Sequence, residues 1–470
     1  LVVLNSNKSL GAQEKNLVHT KLDNGLEVFV LENNATPLVT IEIAFRAGSS
    51  YQTEETEGIF HLYEHMLFKG NSLYKNSAAI KNALTDMGIS DYNGSTSTEF
   101  VNYYFTVPSS KFEKGLEFWA SAVQNPLFNP DELEREKKVV ISEISAHIHN
   151  KSQIAHNEIY KILYKDVPFT FSPSGNAQKV QSCTVEMLKK MKMEYYCPNN
   201  CALFISGNVN FNEAVISIEK YFGKWQHNDE FMAEKQILKN ATNTTLDKNY
   251  SFFVQNPTYK STLMIYFPGP NTLQNETDTY SADLLSSVLN DRNGNLYQNL
   301  KQIKTENGEE AIENFNASYL TTRINGVYAF AFELKNSIQD FSLIINEIQS
   351  VLLEELKKME NQSYFKKSTL DKLKISIEDE RILREENPNT QIEGIRYFWA
   401  VCNTNYTLNY YKNMNKVNSK NLSNFCKKYL TTPHICVLYI NDSAYKNQIP
   451  VLQKASFSEI TENNLNKENQ

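Results

Sequence analysis

The sequence predicts an α+β protein built as two units, and three observations carry that prediction. At 470 residues the chain is too long for one ordinary hydrophobic core. A polar, pattern-poor stretch near 223–249 divides it in two. On either side of that stretch, strand-like and helix-like patterns follow one another in the same outline order, as two copies of one α+β unit would. The expected bounds are a first unit at 15–228, a linker at 229–250, a second unit at 251–455 and a polar tail at 456–470.

Residues 17–49 read as two strands. Asn24-Gly25 is a turn signal leading into an apolar alternation, and 38–46 forms the second run. Helical patterns follow around 58–70 and at 77–87, the latter stopped by Gly88. After a small polar segment at 91–97, the β-branched and aromatic run 99–107 reads as a strand. Residues 111–123 form an amphipathic pattern ended by Asn125-Pro126. Asn129-Pro130-Asp131 then opens a helix running to about 147. Helical patterns continue at 154–163 and 184–196, followed by a strand at 201–206 and a helix at 212–222. In the second unit, strands are expected at 251–254, 261–267, 317–319, 326–334 and 434–440. Helices are expected at 277–290, 342–358 and 367–386, with more helix within 390–429.

Composition narrows the functional classes. Apolar residues make up 41% and aromatics 12%, which is globular composition. A formal net charge of −7 gives no nucleic-acid footprint. No run of 18 apolar residues occurs, so no transmembrane helix is expected. Leu1–Leu4 followed by a small-residue stretch fits the end of a trimmed export signal, but four apolar residues leave the compartment open. Six cysteines are too sparse for a disulfide scaffold. Cys197 and Cys201 have the wrong spacing for a C-x-x-C pair and read as ordinary free thiols.

The chemistry concentrates in GIFHLYEHMLFKG, residues 58–70. On a helix, His65 lies about 40° round from His61 and Glu64 about 60° to the other side, so all three project from one face. Imidazoles at i and i+4 can hold one zinc ion, and a carboxylate beside them can take a proton from water at that ion. The order H-x-x-E-H is that of the inverzincins. The bland alternative is an amphipathic helix with satisfied polar groups. Against it, three polar side chains in so apolar a segment need partners or suffer a desolvation cost. Further on, Glu136 and Glu143 are seven residues apart and share a helix face. The surrounding charges favour a solvated face there, although Glu143 lies in the apolar run VVISEI. His147 is a rival ligand one turn later.

Four ordered segments resemble the pitrilysin/insulinase family of zinc peptidases, which includes the mitochondrial processing peptidase. They are NGLEVFVLENN (24–34), GIFHLYEHMLFKG (58–70), NPLFNPDELEREKKVVISEI (125–144) and YYCPNNCALFISGNVN (195–210). The resemblance implies that each unit is a mixed, mainly antiparallel sheet covered by helices on one face. It implies His61, His65 and Glu143 as ligands of one Zn2+ per chain, Glu64 as general base, and Glu136 as the acidic residue supporting the site. It also implies extended peptide substrates added to a sheet edge at Asn93, Gly94, Ser95 and Thr96; a plain polar loop is the alternative for that segment.

The match thins after residue 250. Lys301 stands where active members have an arginine, and 302–313 is a polar insertion without the tyrosine that follows it in the family. Lysine lacks arginine's planar fork. The resemblance therefore implies the N-terminal half of a longer four-domain member, or a partner subunit that supplies arginine and tyrosine. The rivals are a non-catalytic peptide-binding or core subunit, and a structural zinc domain, which would want a fourth protein ligand.

Overall fold

The computed structural model describes residues 17–461 except 90, 149–150, 165–170, 231–244, 257–259, 325, 386–387 and 432, and omits the side chains of 147, 148, 381–385 and 388–391. The expected leader at 1–12, most of the expected linker and residues 462–470 of the expected tail lie outside the described residues. The chain divides into two compact units. The first has the bounds Leu1–Ile144, Phe171–Lys239 and Leu383–Ala400; the second has Ser145–Thr170, Asn240–Ile382 and Val401–Gln470.

The first unit carries strands β1 (Leu17–Lys21), β2 (Glu27–Glu32), β3 (Leu38–Phe45), β4 (Tyr92–Thr96), β5 (Val101–Pro108) and β6 (Cys201–Gly207) in the order β1-β2-β6-β3-β5-β4. Only β2 and β6 run parallel among these neighbours. The second carries β7 (Tyr250–Asn256), β8 (Ser261–Pro268), β9 (Ile312–Leu320), β10 (Val327–Leu334), β11 (Ile435–Asn441) and β12 (Ser458–Glu459) in the order β12-β7-β11-β8-β10-β9. The path β2-β6-β3-β5-β4 is repeated as β7-β11-β8-β10-β9, so the two units share one mixed, mainly antiparallel topology.

In the first unit, the strand period of two separates two sheet faces. Val39, Ile41 and Ile43 of β3 pair with Val107, Phe105 and Tyr103 of β5, and all six are buried. Helix Phe112–Gln124 packs on this face. Its Gly115 meets Ile41 and Phe105 so closely that a Cβ would stand 2.6 Å from Ile41 Cδ1. The alternate residues Thr40, Glu42, Asn102 and Thr106 face the other way, where Glu42 is buried against Arg396.

Several elements differ from expectation. The polar segment 91–97 forms β4, because its main chain pairs with β5 whatever its side chains prefer. Ile312 and Glu313, expected in a polar insertion, open β9; Ile312 pairs with Leu334 of β10, and Glu313 lies at the register shift. The expected polar tail begins with β12, paired with β7. Helix Asp442–Lys454, with Pro450 inside it, had no sequence signal strong enough to suggest it. Helix Lys151–Leu163 belongs to the second unit and contacts β7.

Candidate metal centre

Helix α1 (Ile59–Leu67) buries Ile59, Phe60, Leu62, Tyr63, Met66 and Leu67. Tyr63 stacks on Tyr196 with centroids 3.9 Å apart, and the Tyr196 hydroxyl is 3.0 Å from that of Tyr103 on β5. This packing fixes the helix on its apolar side and leaves His61, Glu64 and His65 half-buried on the other. Helix α2 (Pro130–Ile148) turns Leu133, Glu136, Lys137, Val140 and Ile144 inward, a stripe at helical spacing.

Glu143 meets the histidine pair. Its Oε2 lies 3.4 Å from His61 Nε2 and 3.6 Å from His65 Nε2. These three side chains supply ligand atoms all within 4.8 Å of one another. Two donors on a tetrahedral zinc stand about 3.4 Å apart. Both Nδ1 atoms are occupied elsewhere: that of His61 is 3.2 Å from the Ser174 carbonyl oxygen, and that of His65 is 3.1 Å from Glu136 Oε2. With acceptors at both Nδ1 positions, each neutral ring carries its proton there and turns an Nε2 lone pair toward Glu143. Two lone pairs converging on a carboxylate repel one another unless a cation stands between them. The donor set therefore fits a zinc ion with an open fourth position.

Electrostatics sharpens the roles. Burial would depress the His65 imidazole, but the Glu136 hydrogen bond and the carboxylates of Glu143 and Glu64 outweigh it and hold its pKa up. Burial would raise the Glu136 carboxyl; its bonds to His65 and Lys69, whose Nζ is 2.8 Å away, hold it below the ordinary value. Burial raises the Glu64 carboxyl above the ordinary range, while the Thr96 hydroxyl, donating to Oε2 at 2.7 Å, pulls the other way. The desolvation argument made for Glu143 belongs to Glu136 instead. The Glu136 side chain is 9% exposed and that of Glu143 45%, although the two share one face of the helix.

Of the other expected residues, Asn93, Gly94, Ser95 and Thr96 all lie on β4, the outermost strand of its sheet. Gly94 and Thr96 share the α1 face: a Cβ at Gly94 would stand 2.9 Å from Glu64 Cγ. Asn93 and Ser95 lie on the opposite face. Asn93 Oδ1 accepts from the Gly94 amide at 2.9 Å. Lys301 follows the short helix Asn295–Leu300 in the second unit, its Nζ 5.7 Å from the Tyr297 ring centroid. The rival ligand His147 lies outside the described side chains. Sequence reasoning missed Ser174 and Lys69. A main-chain carbonyl carries no residue-type signal, and a lysine after a helix is commonplace. No helix among the described residues is long and apolar enough to cross a membrane.

Comparison with known proteins bears on the family and the fold. The family described as Insulinase (Peptidase family M16) matches residues 28–172, and Peptidase M16 inactive domain matches 182–376. An uncharacterized zinc protease of Rickettsia felis is 26% identical over 72% of this chain and 81% of its own length. The probable mitochondrial-processing peptidase subunit beta of Arabidopsis thaliana is 24% identical over 70% of this chain and 62% of its own. The first half of the periplasmic protease PqqL from Escherichia coli superposes with a TM-score of 0.74 at 17% identity, covering 94% of this chain and 97% of that one. Against the whole PqqL chain the TM-score is 0.71 at 17% identity, with 95% and 50% covered; at such identities the likeness is one of fold. With adjoining matches across most of its length, the chain belongs to the insulinase family of metallopeptidases, peptidase family M16.

Proposed function

We propose that this chain is a zinc-dependent endopeptidase, or the N-terminal half of one, that hydrolyses unfolded peptides. The observation that carries the reading is the convergence of His61 Nε2, His65 Nε2 and Glu143 Oε2 with both Nδ1 atoms already engaged. One zinc ion held by His61, His65 and Glu143 would polarise the scissile carbonyl and make an adjacent water more acidic. Glu64 takes the proton from the attacking water and gives it to the leaving amine as the C–N bond breaks. Glu136 and the Ser174 carbonyl hold the two imidazoles in orientation, and Lys69 balances Glu136. The outer edge of β4, with Gly94 and Thr96 turned toward Glu64, accepts the substrate main chain as an added strand.

Lys301 favours a second element to this reading. With lysine where active members carry arginine, the chain works with a second half or a partner subunit that brings arginine and tyrosine to the substrate. The same observation favours the rival of a non-catalytic peptide-binding or core subunit.

Metal analysis of the purified chain is expected to find about one zinc, lost in His65→Ala. Glu64→Gln is expected to keep the zinc and lose all cleavage of an unstructured peptide. Zinc-loaded wild-type protein that cleaves nothing, alone or with candidate partner halves, leaves only the non-catalytic reading.

A further inference from the structure

The substrate edge is tied on its far side to a segment three hundred residues away in sequence. β4 presents alternate residues to opposite faces of its sheet. Thr96 bonds Glu64 on the α1 face. Ser95 turns to the other face, where its Oγ donates to Asn102 Oδ1 on β5 at 2.6 Å. Asn102, 1% exposed, donates through Nδ2 to Glu42 Oε1 on β3 at 2.7 Å. The same Glu42 oxygen accepts from the guanidinium of Arg396, whose Cζ also lies 5.0 Å from the Phe100 ring centroid. Arg396 lies in Leu383–Ala400, the stretch that belongs to this unit although the chain has meanwhile built the other. Four side chains thus form one hydrogen-bonded line across three adjacent strands, and three of them are largely out of solvent.

Such a line has a consequence for an edge strand. β4 has β5 on one side only, and its sequence, Tyr-Asn-Gly-Ser-Thr, has weak strand preference. An edge strand that must receive another chain needs its main chain held at a fixed height, since displacement weakens every added main-chain bond together. Thr96 cannot supply that restraint alone, because it pulls toward the very carboxylate that must stay free to exchange protons. Ser95 supplies the opposing anchor. Asn102 passes it to a buried ion pair, in which one guanidinium nitrogen of Arg396 donates to the Glu42 carboxylate.

We propose that Ser95, Asn102, Glu42 and Arg396 are positioning residues for peptide binding, holding β4 at the height at which it accepts a substrate strand. This rests on the reading of β4 as the substrate edge. The main chain of β4 contacts the peptide, so the Ser95 side chain acts by fixing the strand and not by touching substrate.

The test measures binding of a fluorescently labelled unstructured peptide to the zinc-loaded full chain in the Glu64→Gln background, alongside cleavage kinetics in the wild-type background. Ser95→Ala is expected to weaken binding about fivefold, the worth of one ordinary hydrogen bond. KM is expected to rise in parallel, with kcat within about twofold. Ser95→Thr, which keeps the hydroxyl, is expected to restore both. Arg396→Lys is expected to weaken binding similarly, and the double variant to be no worse than the poorer single one, as members of one line behave. Zinc content is expected to stay the same throughout. Unchanged binding in Ser95→Ala, strictly additive effects, or loss of zinc with loss of kcat at unchanged KM would each overturn the proposal. Should the wild type bind peptide yet cleave nothing, alone or with candidate partner halves, the peptidase reading fails while the binding measurements still decide this one.

Discussion

At the scale of single residues, the site depends on what each side chain's second polar atom does. His61 and His65 are useful because their Nδ1 atoms are held by a carbonyl and a carboxylate, which directs both Nε2 atoms to Glu143. Gly94 matters for what it lacks. A methyl there would stand 2.9 Å from Glu64 Cγ, 3.0 Å from Tyr103 Cδ1 and 3.1 Å from Glu64 Oε1. Gly94→Ala is therefore expected to lower kcat/KM for an unstructured peptide by about tenfold or more while zinc content holds, because the Glu64 side chain must move aside. In the second unit, burial lifts the Asp283 carboxyl to about 7 against the pull of the Tyr410 hydroxyl, which donates to it at 2.6 Å. With the folded pKa above that of the unfolded chain, its contribution to stability is complete below pH 4 and lost as pH rises to about 7. Asp283→Asn is expected to remove that loss and to gain on the order of 1–2 kcal/mol over the wild type at pH 8, with little change at pH 4, as read by urea denaturation at both pH values.

At the scale of elements, helix α1 is placed by backbone as much as by its apolar face. Gly58 precedes it with φ 95°, and Gly175 with φ 91° packs on Gly58 so tightly that a Cβ would stand 2.2 Å from Gly58 Cα. Next to Gly175 is Ser174, whose carbonyl orients His61. Gly175→Ala combines a left-handed backbone with a main-chain clash, so it is expected to cost about 2 kcal/mol or more of stability. Zinc affinity is expected to fall about tenfold or more as the carbonyl withdraws from His61. Thermal unfolding and zinc titration read the two effects separately. Helix α2 was legible as a helix from Asn129-Pro130-Asp131 and its spacing of glutamates. Which glutamate is buried was not, because residues 136 and 143 lie on one face of the helix and only the neighbouring packing separates them.

For the whole molecule, both sheets close on apolar cores that owe nothing to a metal. Val39, Ile41, Ile43, Phe105 and Trp119 are buried in the first, and Leu263, Ile265, Phe267, Phe330 and Phe332 in the second. Removing zinc with a chelator is thus expected to abolish cleavage, leave the far-ultraviolet circular dichroism unchanged, and lower the melting temperature by a few degrees through lost ligand linkage. Collapse of secondary structure on chelation would show that the centre is structural. The repetition of β2-β6-β3-β5-β4 as β7-β11-β8-β10-β9 was foreshadowed by the repeated order of patterns. The exchange of segments, with Ser145–Thr170 in the second unit and Leu383–Ala400 in the first, left no mark on local periodicity.

The sequence by itself determined the elements with strong periods, the two-unit plan, and the grouping of His61, Glu64 and His65, since residues at helical spacing share a face in any helix. It pointed to Glu143 as a ligand and to the β4 edge as a binding surface only through resemblance. Tertiary structure alone decided which carboxylate is buried, that the Ser174 carbonyl orients His61, and that Arg396 reaches Glu42. Each of these joins groups whose separation along the chain runs from tens to hundreds of residues, and local sequence patterns carry no information about contacts at that range.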